Sequence, residues 1–305
     1  SLNISLKRGL KVNLKGSPDK VYAPLQASEE YVVKPTDFHL LTPKLVVKEN
    51  DKVKAGDTLF YDKYNDKIKF SAPVSGSIKE IVRGKKRRIL KVVIKADKEI
   101  KYKSFEVGSS DKSSRDQIIK IMLEAGVWPF VRQRPYDIIA NPKDMPKAIF
   151  ISAFNSTPLS IDNDFALYGM EELFQKGINY IRKLTNGKTH LNIDGSINAS
   201  TVFTSVKGVQ INKFRGPHPS GNVGVQIHHI DPINKNDVVW YLDPQDVIII
   251  ARLFDQGTYD VSRIIALAGP QVKKPRYYRC ISGANISNLV SNNVKDGDNR
   301  FISGD

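Results

Sequence analysis

The sequence predicts an all-β domain, then an α/β domain, then a short return to strands, and three observations carry that prediction. Up to about residue 105, β-branched runs alternate with turns built on Gly, Pro and Asn. From 106 to 255, capped amphipathic helices alternate with apolar strands, as in α/β units. From 256 to 305 strand-like runs resume. A chain of 305 residues exceeds what one core ordinarily serves, which agrees with several modest domains.

In the first stretch, KLVVKEN, DTLFYD, KIKF and SIKEIV are separated by Ala55-Gly56-Asp57, by Ala72 to Gly76 and by Arg83-Gly84. Val53 to Leu59 followed by Ser71 to Ile78 resembles the glycine corners of the barrel-sandwich found in biotinyl and lipoyl carrier domains. A carrier needs one lysine at an exposed hairpin tip, and Lys63 after Asp62 is the candidate. The segment Tyr61 to Lys69 reads too long for that hairpin and has no flanking methionine, so no covalent modification is expected.

In the middle stretch, Ser113-Ser114-Arg115-Asp116 opens a helix with Ile118, Ile121, Met122 and Ala125 at helical spacing, and Gly126 closes it. Lys147 to Phe154 reads as a buried strand ended by Asn155-Ser156-Thr157-Pro158. A long helix is predicted over Tyr168 to Thr185, stopped by Asn186-Gly187. THLNID, VQINKF and VVWYL follow as strands, and a last helix starts near Asp243-Pro244. VSRIIALAG and RYYRCISG are the closing strands, before a short helical piece from Ile286 to Val290. The chain then stops at Phe301 to Asp305 without a closing element, which reads as a domain cut short.

The net charge of +15 is uneven: residues 1–105 hold 24 basic and 12 acidic residues, so they carry +12 of it. The densest cluster, Lys85-Lys86-Arg87-Arg88, falls at the tip of a predicted β-hairpin. It serves either as a soluble hairpin end or as a contact for anionic headgroups or an acidic partner. Nucleic acid is not an expected partner, because no interleaved aromatics and no helix-turn-helix or RNA-recognition signature accompany the charge. No apolar run is long enough to cross a bilayer, so a cytoplasmic location is expected. The single cysteine, Cys280, forms no internal disulfide and is too few for an iron–sulfur cluster or structural zinc.

The catalytic motifs are absent: there is no G-x-G-x-x-G, Walker A loop, H-E-x-x-H or G-x-S-x-G. Three candidate sites remain. Gly126 to Tyr136 packs Trp128, Phe130, Arg132, Arg134 and Tyr136 after a helix, which suits a planar ligand with carbonyl acceptors such as a quinone headgroup. The other reading is an aromatic anchor whose arginines meet a partner. Tyr31, Phe38 and His39 form a second aromatic group. The loop Gly216 to Gly224 is the third, where His218 either donates a proton to a ligand or fixes the turn. His228 and His229 are adjacent, and on a strand they would face opposite sides, so they make no metal pair and no metal site is expected.

The segments LKRGLKVNLKGSP, SAPVSGSIKEIVRGKKRRILKVVI, AGVWPFVRQRPYDI, AIFISAFNSTPL, FRGPHPSGNVGVQIHHIDPI and IIALAGPQVKKPRYYRCISGANI occur in that order. Over nearly its whole length the chain resembles the A-subunit family of the sodium-translocating NADH:quinone oxidoreductases, bacterial respiratory sodium pumps. The resemblance implies a peripheral subunit on the cytoplasmic face of the membrane, associated with the membrane-embedded and other subunits of that complex. It also implies a Rossmann-like middle domain and an incomplete β-grasp-like C-terminal domain, similar to the flavin-bearing subunit of respiratory complex I. That relative has a glycine-rich flavin cradle where this chain has Trp128 to Pro135, so this chain is expected to bind no redox cofactor of its own. Flavins and the iron–sulfur centre are expected on partner subunits, and a contribution of this chain to the site of the quinone substrate is an expectation of the same resemblance. The alternative is a pure interaction scaffold with no small ligand and, in either case, no catalytic residue of its own.

Overall fold

The computed structural model describes residues 1–304. In chain order the elements are β1 (Asn3–Ser5), β2 (Tyr22–Ala23), β3 (Glu30–Val33), β4 (Pro43–Leu45), β5 (Lys52–Val53), β6 (Thr58–Asp62), β7 (Asn65–Ser71), β8 (Gly76–Arg83) and β9 (Ile89–Ala96). Next come α1 (Arg115–Ala125), β10 (Arg132–Arg134), β11 (Ile138–Ile139), β12 (Ala148–Ser152), α2 (Asn163–Ala166), α3 (Glu171–Ile181), β13 (Lys188–Asp194), α4 (Thr201–Thr204) and β14 (Gln210–Arg215). The last are α5 (Val223–Ile230), β15 (Val239–Leu242), α6 (Pro244–Gln256), β16 (Ser262–Leu267), β17 (Arg276–Ile281) and α7 (Ser287–Val290).

The barrel-sandwich expected from the glycine corners is present as two stacked sheets, β3-β9-β8-β5 and β4-β6-β7. Tyr31, Leu59, Phe60, Phe70, Ile78, Val92 and Ile94 are buried in the core between them, and a register shift between Thr58 and Phe60 interrupts the alternation in β6, where Leu59 and Phe60 are both buried. Lys63 and Tyr64 form a two-residue turn between β6 and β7, so that hairpin is tighter than the sequence reading allowed. The extra length lies in β7, where the register slips between Tyr61↔Lys69 and Asp62↔Asn65.

The second domain is a seven-stranded mixed sheet in the order β1-β14-β13-β12-β15-β10-β11. Its core strands β14, β13, β12 and β15 are parallel, and β10 runs antiparallel to β15. Ala148, Ile149, Phe150 and Ile151 of β12 are all buried because helices cover both faces. Trp240, Ile149 and Leu191 face the main core with α1, α3 and α6, whereas Phe150 and Val239 face Ile227 of α5. Helices α3 and α6 approach closely at Gly177, where a Cβ would lie 2.6 Å from the Val247 carbonyl oxygen. Tyr180 and Phe254 stack beside that contact with ring centroids 3.9 Å apart.

The capping signals work as predicted: Ser114 and Gln117 form the capping box of α1, and Gly126 adopts a left-handed φ of +80° at its end. A Cβ on Gly126 would strike Ser71 Oγ at 2.3 Å, and the Ser71 hydroxyl donates to the Ala125 carbonyl over 3.0 Å. That joint docks β7 of the barrel onto α1. The long helix predicted over 168–185 is present as α3 continued by a 3-10 turn from Arg182 to Leu184, and Gly169, at a left-handed φ of +81°, separates it from the short α2 before it.

β1 pairs in parallel with β14 and β2 with β17, so two pieces of the first 25 residues belong to the second and third units rather than to the barrel. The C-terminal unit is the β16–β17 hairpin with β2 beside it, and Tyr22, Phe165 and Tyr277 cluster where it meets the second domain.

One buried titratable group sits in the sheet. His190 lies against Phe150, ring centroids 4.5 Å apart, and its Nδ1 accepts from Asn212 Nδ2 at 3.3 Å, which places the ring proton on Nε2. Burial disfavours the imidazolium and pulls His190 from 6.5 down to about 4, helped by Lys188. The unfolded chain therefore takes up this proton before the folded one does, so His190 lowers stability progressively as pH falls from 6.5 towards 4. Thermal melts across that window are expected to fall more steeply for the native chain than for His190→Gln.

Candidate functional site

After α1 the chain makes a 3-10 turn, Trp128–Phe130, favoured by Pro129 near its start, and enters β10. Strand alternation then sends Gln133 to one face of the sheet and Arg132 and Arg134 to the other. Trp128 has no exposed surface; its Nε1 donates to the Ala140 carbonyl at 2.8 Å and its ring meets Trp240 edge-on at 5.4 Å. Trp240 Nε1 donates in turn to Gln133 Oε1 at 3.2 Å. Phe130 lies beneath the Arg263 guanidinium, 5.4 Å from the ring centre, and Arg263 pairs with the buried carboxylate of Asp246.

On the opposite face, Tyr241 donates its hydroxyl to Asp137 Oδ1 at 2.5 Å and Arg132 Nη2 donates to the Asp137 carbonyl at 2.6 Å. Arg134 sits over the Tyr241 ring at 5.1 Å. Burial pushes the Asp137 carboxyl up, but the Tyr241 hydrogen bond and the charges of Arg132 and Arg134 outweigh it and hold the group below its ordinary value. Burial and the same hydrogen bond push the Tyr241 phenol well up. Tyr136 stands at the tip of this hairpin, 74% exposed. The five residues expected to line one planar-ligand site are thus divided between two faces of the sheet and a loop tip. The structure does not bring them together.

The second aromatic group forms no open site either. Tyr31 is buried in the barrel core, Phe38 packs edge-on to Phe70 at 4.8 Å, and His39 is exposed. His218 is half-buried in the third candidate, with Nδ1 3.0 Å from Ser156 Oγ, which itself accepts from the Gly221 N–H at 2.8 Å. The Ser156–His218 hydrogen bond locks the loop following β12 to the loop following β14. The glycines serve that lock: a Cβ on Gly221 would lie 2.4 Å from Ser156 N, and one on Gly216 would lie 2.4 Å from the Leu6 carbonyl oxygen. Contrary to the strand expectation, His228 and His229 occupy the last turn of α5, where His229 Nδ1 lies 2.9 Å from the Val225 carbonyl oxygen.

Sequence reading missed a buried polar chain beneath α5. Asn212 Nδ2 donates to Asn192 Oδ1 at 2.9 Å, Asn192 Nδ2 to Gln226 Oε1 at 2.8 Å, and Gln226 Nε2 to Ser152 Oγ at 2.9 Å. The available signal was an asparagine inside each of the apolar strands THLNID and VQINKF. The N-terminus of α6, beside β12 where strand order reverses, is closed by the capping box of Asp243 and Asp246. Among the described residues, no group of three or more His, Cys, Asp or Glu is placed to hold a metal ion.

The basic cluster is where the sequence put it. Lys85, Lys86, Arg87 and Arg88 are all exposed at the β8–β9 tip, with Lys86 and Arg87 at left-handed φ values of +55° and +61°. Among the described residues, none of the four lies within 4.0 Å of a carboxylate. Nor is any helix among them long and apolar enough to cross a membrane.

Residues 4–97 match the family description "NqrA N-terminal barrel-sandwich hybrid domain", 113–259 match "NqrA second alpha/beta domain" and 264–305 match "NQRA C-terminal domain". The Na(+)-translocating NADH-quinone reductase A-subunit of Pasteurella multocida is 37% identical over 303 residues, covering 99% of this chain and 68% of that protein. The protein of the same description from Yersinia pseudotuberculosis is 36% identical, covering 99% of this chain and 67% of its own length. Among solved structures, a chain of the NAD+-reducing [NiFe]-hydrogenase in the air-oxidized state superposes with a TM-score of 0.42 at 14% identity, covering 63% of this chain and 42% of that one.

Both tryptophans are enclosed, so iodide is expected to quench neither. Trp128→Phe leaves the Ala140 carbonyl without its donor and opens space beside Trp240. Urea unfolding of that variant is expected to show a loss of about 2 to 4 kcal/mol.

Proposed function

This chain belongs to the A-subunit family of the Na(+)-translocating NADH-quinone reductases, and on that premise we propose that it is a docking adaptor carrying no redox centre of its own. The observation that carries the reading is the projecting, unpaired Lys85–Arg88 tip on a rigid hairpin. Such a tip suits an acidic subunit surface or the anionic cytoplasmic face of the membrane.

The second domain supports the other half of the reading. A flavin phosphate needs close approach to free backbone N–H groups, which glycines permit and bulky side chains prevent. Residues 128–135 contain no glycine, and Trp128 is enclosed core. At the α6 N-terminus, Asp243 and Asp246 place carboxylates where a phosphate would sit. Hydride and single-electron transfer need cofactors rather than side chains, so flavins and the iron–sulfur centre are assigned to partner subunits. The enclosure of Trp128 and Tyr31 in the core, with Phe130 and Phe38 packed against it, favours docking over an autonomous quinone site. Arg132, Arg134 and Tyr136 join a quinone site only where a neighbouring subunit supplies its apolar wall.

Reversing Lys85, Lys86, Arg87 and Arg88 to glutamate is expected to abolish low-salt co-purification with the remaining subunits while leaving the melting temperature unchanged. Undiminished assembly would remove the docking role from this tip. A purified chain holding flavin in stoichiometric amount would remove the adaptor reading.

A further inference from the structure

A second basic feature lies away from that tip, in a groove between the barrel and the α/β domain. Its first lobe, about 850 Å³, is walled by the β6–β7 hairpin on one side and by Asn141 and Lys143 on the other. Lys44, Lys63, Lys67 and Lys143 line it against a single carboxylate, Asp66. Among the described residues none of these four ammonium groups lies within 4.0 Å of a carboxylate. A second lobe of about 610 Å³ shares Asp66, Lys67 and Lys143 with the first and runs along β7 to α1, where Lys69 and Lys120 stand against Asp116 and Glu124 on its rim and the nearly buried Ile119 and Leu123 form a narrow apolar floor.

We propose that this groove receives an acidic segment of a partner polypeptide, its carboxylates in the first lobe and one apolar side chain seated over Ile119 and Leu123. Three features select that occupant. The lysines lie in a concavity between two walls, where a planar lipid surface makes poor contact. Lysine heads are compact point charges on flexible stems, which tolerate a run of carboxylates without demanding one fixed geometry. The two lobes differ in chemistry, and a free phosphate fills neither the length of the groove nor its apolar end. An occupant bridging both walls would brace the barrel against the α/β domain. This contact is separate from Lys85–Arg88 and stands even if that tip proves to have no docking role.

The test uses the full chain and a short fluorescein-labelled polyglutamate peptide interrupted by one leucine. Its anisotropy is expected to rise saturably and to weaken with added salt. Lys67→Glu/Lys143→Glu should weaken the peptide at least about tenfold, while the variant reversed at Lys85–Arg88 should bind as the native chain does. Replacing the leucine with glutamine should also weaken binding. Lys63→Glu, on an exposed turn, provides a second reading should the double variant fold poorly. Absence of saturable binding, indifference to the lysine reversals or to the leucine, or displacement of the peptide by inorganic phosphate or phosphatidylglycerol vesicles would each overturn the proposal.

Discussion

The burial of Trp128 is the constraint on which the rest of the second domain depends. An indole with no exposed surface needs a partner for its N–H, and the Ala140 carbonyl supplies it just after β11 returns along the sheet edge. Trp240 repeats the arrangement through Gln133 of β10. The Trp128 bond closes the base of the antiparallel edge hairpin, and the Trp240 bond ties that hairpin to the parallel sheet. They also occupy, with packed side chains, a stretch that would have to be open backbone to approach a phosphate.

Much of the architecture was legible in the sequence because its signals were local. Ser114 with Gln117, Gly126, and Asp243-Pro244 each mark a helix end through chemistry confined to one turn. The glycines at 56 and 76 likewise announce the corners of the barrel. What was not legible was non-local. Nothing in the short strand Asn3–Ser5 shows that it will pair with Lys213 to Arg215, because that pairing is set by an edge formed more than two hundred residues later. The His228–His229 pair shows the other limit: its apolar neighbours fit a strand as well as a helix, and packing on Phe150 and Val239 decided for the helix.

The candidate site was legible as composition but not as geometry. Three aromatics and two arginines within eleven residues are unusual in a connector, and all but the exposed Tyr136 have a specific contact. Strand alternation, however, places consecutive side chains on opposite faces, so density along the chain became separation in space. The asparagine and glutamine chain beneath α5 was invisible for the complementary reason: its members are dispersed in sequence and converge only when three strands and a helix assemble. The basic tip was readable because a hairpin end needs nothing beyond itself to be exposed.

The pairing of β2 with β17 ahead of the barrel, and the bond from the Phe105 N–H to the Gly257 carbonyl behind it, mean that the barrel is tied to the body of the molecule at two separate points. A module hung from one linker sweeps a wide cone, whereas one anchored at both ends, and pinned by the Gly126–Ser71 joint, has a fixed heading. A push or pull at the far end of the barrel is therefore transmitted to the mixed sheet as a torque instead of being lost in a swivel.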